Sequence, residues 1–161
     1  MVEGPDLGEQ LAEAWRTNNR INLLLLEEIS DEGLACTLSK RGGRDVAGQF
    51  AHVHTNRVWQ LEKRARDLAA GLAKFTAKDR PSRDELVAAF AASGEAVESF
   101  LRAVLAGEPK RRGFKKGVFV TLSYLVAHES HHRGNVLLTL KTCGHAVDKA
   151  ARYRVWDWDR V

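Results

Sequence analysis

Four stretches of the chain repeat their apolar residues with the period of an α-helix, and this restricts the fold more than any other feature of the sequence. The first runs from about Leu7 to Ile29, where Leu11, Ala14, Trp15, Ile21, Leu24 and Leu25 return to one side before "SDEG" stops it. The second follows "KRGGRD", with Asp45 placed to cap it. It continues through "VAGQFAHVHTNRVWQLEKRARDLAAGL", with Phe50, Val58, Leu61, Ala65 and Leu68 on one broad face. The third opens at "DRPSRDELVAAF": Ser82 stands three residues before Glu85, the spacing of a capping box, and Gly107 and Pro109 end it. The fourth extends from about Phe119 through "LSYLVAHESHHRGNVLLTLKTCG", with Gly144 as its closing residue.

No stretch alternates apolar and polar residues convincingly, and no repeat of fixed period is visible. Four amphipathic helices that must each hide a stripe are expected to form an all-α four-helix bundle, antiparallel or crossover-connected. The tail, "ARYRVWDWDRV", carries Trp156 and Trp158 on alternate positions and is expected to pack extended across the bundle or a partner subunit.

With 161 residues, the chain is expected to form one domain over residues 1–161 with a core large enough to need no disulfide. Cys36 and Cys143 are too few for a secreted disulfide framework and form no CxxC pair, which points to a reducing cytoplasm. The opening "MVEGPDLGEQ" lacks the regions of a signal peptide, and the longest apolar run, Leu23 to Leu26, is far too short to span a bilayer, so a soluble protein is expected. The net charge of +4 is concentrated in "KRRGFKK". Lys110, Arg111, Arg112, Lys115 and Lys116 are therefore candidate anion-binding residues, with solvated surface as the competing reading. Charge without any recognised motif gives no reason to read a nucleic-acid binder.

The fourth helix carries "AHESHHRGN", and this is where chemistry is concentrated. His128 and His132 are four residues apart, about 40° around a helix axis and one turn apart, so both can face one ion. His131 lies about 100° from His132 and is better placed beside such a site or on the surface. Catalytic zinc normally takes three protein ligands and a water, so another helix must supply a donor. The second helix offers His52 and His54, about 200° apart, of which at most one can reach the ion. Periodicity favours His54, which falls within the stripe of Phe50, Val58, Leu61 and Ala65. Five of the six histidines thus fall in two short stretches, whereas His145 lies beyond the helix-ending Gly144.

The same letters read as HExxH, with Glu129 as the base of a metalloprotease. The extended form fails because Asn135 and Leu138 stand where Gly and His are required, and no glutamate follows Glu129. Glu129 remains a candidate for a place beside the ligands, although it points about 100° away from His128.

"LAEAWRTNNRINLLLLEEI", "GRDVAGQFAHVHTNRVWQLE" and "TLSYLVAHESHHRGNVLLTLK" together resemble the DinB-like (YfiT-like) superfamily of metal-binding four-helix bundles. The H-x-x-x-H pair followed by Arg133 and Gly134 is the most specific of these features; Asn135 stands where glutamine is often found. The resemblance implies a crossover-connected bundle, often a homodimer, and a divalent ion (zinc, nickel or iron) on one helix-two histidine and the H-x-x-x-H pair. By placement after "GRDVAGQFA" it implies His52, with His128 and His132, against the preference of periodicity for His54. It also implies a metal-dependent hydrolase, or a transferase or isomerase using a low-molecular-weight thiol, acting on a small-molecule substrate.

The competing reading is a non-enzymatic metal- or ligand-binding helical module, which a fourth protein ligand such as His54 or His131 would support. No convincing general base is visible; Arg57 and Glu129 are candidates for roles near the site. Trp15, Trp59, Trp156 and Trp158 are candidates to line a pocket or to pack in the core or at a dimer contact. Asn18 and Asn19 are unexpected inside an apolar helix and should reach either the metal pocket or a neighbouring helix.

Overall fold

A computed structural model describes residues 6–161, and among them all regular structure is helical. Four long helices, α1 (Leu7–Glu28), α3 (Val46–Arg64), α4 (Arg83–Leu105) and α5 (Val118–Thr142), are accompanied by short α2 (Asp31–Leu34) between the first two and short α6 (Lys149–Arg154) after the last. Their starts follow the local chemistry. The Asp45 carboxylate accepts from the Gly48 amide at 2.7 Å, and Ser82 and Glu85 complete a reciprocal capping box at the head of α4. Gly144, with φ of 83°, closes α5 in the left-handed region, where a side chain would be strained.

Two expectations are corrected. The second helix ends at Arg64 rather than continuing to Leu72, because Ala65 leaves helical geometry at φ −155°. The segment after it forms turns whose Ala65 and Ala69 still bury, which is why its apolar pattern looked like more helix. The tail is not extended: it winds into α6 and a following turn, burying Ala151 and Val155 while Trp156 stays 79% exposed.

α1 packs chiefly on α4 and also on α5, and α3 packs on the same two helices. Consecutive long helices α1 and α3 therefore stand on a diagonal, and the chain between them crosses one end of the bundle. Gly94 leaves room for α1 side chains against α4: the Trp15 indole donates to its carbonyl at 2.8 Å, and a Cβ there would lie 2.5 Å from the Asn19 amide nitrogen.

The apolar core is divided in two. One half gathers Ile21, Leu25, Phe50, Leu86, Phe90, Val136 and Leu140; the other gathers Leu11, Trp15, Leu61, Val97, Phe100 and Leu125. Between them lies a buried polar layer to which every long helix contributes: Asn18 and Asn22 from α1, Arg57 from α3, Ser93 from α4 and Glu129 from α5. Every buried side-chain polar atom among the described residues has a hydrogen-bond partner, so this layer is stable in an otherwise apolar interior.

Candidate metal centre

α3 and α5 bring His52, His128 and His132 together at the level of the polar layer, with one ligand-capable atom of each within 4.8 Å of the others. Ring centroids are 5.4 Å apart for His52 and His128, and 4.8 Å for both His52–His132 and His128–His132. All three rings are half-buried. Two of them are oriented by amide side chains of α3: Gln49 Oε1 lies 3.3 Å from His132 Nδ1, and Asn56 Nδ2 lies 3.3 Å from His128 Nδ1. Gln49 Oε1 can only accept, so it holds the His132 proton on Nδ1 and leaves the Nε2 lone pair free. Asn56 Nδ2 can only donate, so it makes His128 Nδ1 the acceptor and places that ring's proton on Nε2; turning the Asn56 amide over would reverse this and free the His128 Nε2 lone pair. Gln49, His52, Asn56 and Trp59 succeed one another at spacings of three, four and three, so they form one polar edge of α3.

Electrostatics keep these imidazoles neutral. Burial, then Arg44, then His128 push His52 down to about 4. Burial, followed by His128 and His52, brings His132 to about 4 as well. His128 is also lowered by burial, with Glu129 pulling the other way. Neutral imidazole is the form that donates a lone pair to a metal, so the donor set suits a divalent ion of the zinc, nickel or iron class. Tyr124 stacks on His128 at 6.1 Å, and Trp59 meets His52 edge-on at 6.3 Å, giving the cluster aromatic flanks.

The other candidate residues lie elsewhere. His54 is buried at 1% exposure, with Nδ1 3.1 Å from Ser93 Oγ and Nε2 2.8 Å from the Ala73 carbonyl oxygen. Both ring nitrogens are engaged, so it ties α3 to α4 and to the following loop. His131 is exposed and shares a 3.1 Å hydrogen bond with Asn135. Neither supplies a fourth ligand to the cluster.

Glu129 is turned away from the histidines and locked. Arg57 grips it with two hydrogen bonds, Nε at 2.7 Å and Nη2 at 2.8 Å, while Asn18 and Asn22 each donate to it at 2.7 Å. Burial alone would raise its pKa, but Arg57 and then Arg133 hold it below the ordinary carboxylate value. It is an ionised acceptor with four donors, unsuited to moving protons at the cluster. Arg57 in turn lies between the Trp15 and Phe90 rings, 4.7 and 4.5 Å from their centroids, and donates to Asn19 Oδ1 at 2.7 Å. Arg133 completes the layer by donating to Asn18 and Asn22. Asn18 and Asn19 thus serve the charge pair rather than the histidines.

The basic loop packs at the far end of α3. Arg111 pairs with Asp67, and Arg64 stacks on Phe114 at 4.4 Å while donating to the Gly113 carbonyl. Lys110, Arg112, Lys115 and Lys116 are exposed. A cavity of about 440 Å³ opens instead on the His52 side, and its cations are Arg44, Lys74 and Arg80. These escaped the sequence reading because they are scattered over two loops and only the fold collects them. Gln49 and Asn56 carried a weak signal, as amide residues on the same helical edge as His52. Cys36 and Cys143, distant in sequence, lie near one another away from the histidine cluster, with their thiols on the carbonyls of Glu32 and Thr37.

A family description, DinB family, matches residues 3–158. No curated protein and no solved structure matches the chain.

Proposed function

The chain belongs to the DinB family, and on that premise we propose that His52, His128 and His132 hold a divalent metal ion at which a small-molecule substrate is transformed. The observation that carries this is the convergence of three neutral imidazoles with no fourth protein ligand among the described residues. Three protein donors with an open position are the pattern of a catalytic site rather than a structural one. The bound ion would supply Lewis acidity.

The residues divide the remaining work. Gln49 and Asn56 fix the ring orientations of His132 and His128. The Arg57–Glu129 pair holds α5 against α3 and α1, so that the His128–His132 face cannot rotate away. Tyr124 and Trp59 shield the flanks. No carboxylate with free acid–base capacity stands at the cluster among the described residues, since Glu129 is fully engaged, and His131, whose ring centroid lies 5.3 Å from that of His132, is bonded through Nε2 to Asn135. This favours transfer of a low-molecular-weight thiol over hydrolysis, which requires a group to take a proton from water. The same lack of a free carboxylate is what a non-enzymatic binding module would show, and it is the competing reading.

Elemental analysis of untagged protein tests the proposal. About one ion per chain is expected in the wild type and in His54→Ala, and none in His52→Ala or His132→Ala. Absence of metal from every preparation, after reconstitution with zinc, nickel and iron, would refute the metal centre. Metal uptake without turnover of any thiol-transfer or hydrolytic substrate would instead support the binding module.

A further inference from the structure

The cavity beside His52 has a feature that the histidine cluster does not use. Its lining combines His52, Trp59 and Phe75 with the cations Arg44, Lys74 and Arg80 and the carboxylates of Asp45 and Asp79. Its volume, about 440 Å³, is that of a small-molecule site. Most of its charge is already satisfied. Lys74 pairs with Glu62 at 2.6 Å. Arg80 donates to the carbonyls of Ala77 and Asp79 and lies 3.8 Å from Asp45. Asp45 caps α3, and Asp79 accepts from the Thr76 amide.

Arg44 is different. Among the described residues its guanidinium makes no ion pair and no hydrogen bond. Its backbone, by contrast, is held: Thr37 Oγ1 donates to the Arg44 carbonyl at 3.2 Å, and the Gly43 amide donates to Ser39 Oγ at 2.7 Å. The side chain therefore projects from an anchored loop. It lines the same cavity as His52 and Trp59.

We propose that this cavity binds a small organic monocarboxylic acid, with its carboxylate on Arg44 and its flat apolar body against Trp59 and Phe75, next to the metal centre. A planar guanidinium takes a carboxylate through two parallel hydrogen bonds. Three cations facing two carboxylates suit a monoanion better than a doubly charged phosphate. Trp59, 44% exposed and edge-on to His52, supplies aromatic surface where the ligand would enter. The proposal deepens the metal-centre reading by naming the substrate class, but the anchor itself requires no ion.

The test uses benzoate, phenyl phosphate and benzyl alcohol as probes, followed by amide and indole chemical shifts in wild type, Arg44→Ala and Arg44→Lys. Each is studied after chelation and after zinc loading. Benzoate is expected to move the Trp59 indole signal, to bind about ten-fold more weakly to Arg44→Ala, and to recover in part in Arg44→Lys. Benzyl alcohol should bind at least about ten-fold more weakly than benzoate. Four outcomes would each overturn the proposal: no benzoate binding to wild type, equal affinity in Arg44→Ala, benzyl alcohol equal to benzoate, or phenyl phosphate tighter than benzoate. Arg44-dependent binding to chelated protein that never takes up zinc would sustain the anchor and reject the metal centre. Zinc uptake with benzoate indifferent to Arg44 would do the reverse.

Discussion

Glu129 and His128 are adjacent on one helix and inhabit opposite environments. Glu129 is 1% exposed, charged, and bonded to three side chains of α1 and α3. His128 is half-buried, neutral, and keeps a ring nitrogen without a partner. The pattern repeats one turn on, where Arg133 is bonded into the polar layer and His132 faces the cluster. α5 thus turns one polar face to the interior, where every hydrogen-bonding position is filled, and another to the histidine cluster, where positions are left open. The first kind of face holds helices in register; only the second has capacity left for a ligand.

The strongest way to break this contrast is to remove one partner from the filled face. Arg57→Met should lower stability by about 3–5 kcal/mol, because it leaves the Glu129 carboxylate charged and buried without its counterion. Chemical denaturation measures this. Arg57→Met combined with Glu129→Gln should regain part of the loss, since no uncompensated charge then stays buried. A single-variant cost under about 1 kcal/mol would mean that the layer does not hold the helices as described.

On the open face the ordering should invert, with ligand binding affected and the fold left nearly intact. Asn56→Ala and Gln49→Ala should weaken metal affinity about ten- to hundred-fold, read by competition with a chromogenic chelator. The denaturation midpoint of metal-free Gln49→Ala should scarcely move, because Gln49 is only partly buried.

The smallest effect is a pH dependence in chelated protein. His52 and His132 lie at about 4 when folded, against an ordinary 6.5, so the unfolded chain binds more protons between those values. Stability rises with pH wherever the unfolded state holds more protons. Their contribution is therefore complete above about 6.5 and is lost as pH falls toward 4. Carboxylates also titrate in this range, so the measurement is a difference: the His52→Ala/His132→Ala variant should lose less stability than wild type between pH 7 and pH 4.5. Parallel pH profiles would contradict the neutral cluster.

How much of this was legible in the sequence depended on how local the cause was. Asp45 and the Ser82–Glu85 box act over three residues and marked the starts of α3 and α4 directly. Ala65 to Leu72 kept an apolar pattern after the helix had ended, because burial in turns leaves the same signature as burial in a helix. His54 shows a sharper limit. Periodicity identified it as the histidine on the buried stripe, and it is buried; the histidine that meets His128 and His132 is His52, at the edge of that stripe. Asn18 and Asn19 were conspicuous in an apolar helix, yet their partners lie on other helices, out of reach of a one-dimensional reading. Arg44 gave no signal at all, since its position depends on a loop packed against residues far along the chain.

The polar layer also bears on how an ion would come and go. Because α5 is pinned from its interior side by a charge pair that involves no metal, the cluster is assembled by folding alone, as a socket is before anything is plugged into it. Loading and stripping would then be exchange reactions on a standing scaffold, without the coupling of metal uptake to folding seen in zinc fingers. Which ion would reside there is left to ligand chemistry and to the supply of competing ions in the surrounding medium.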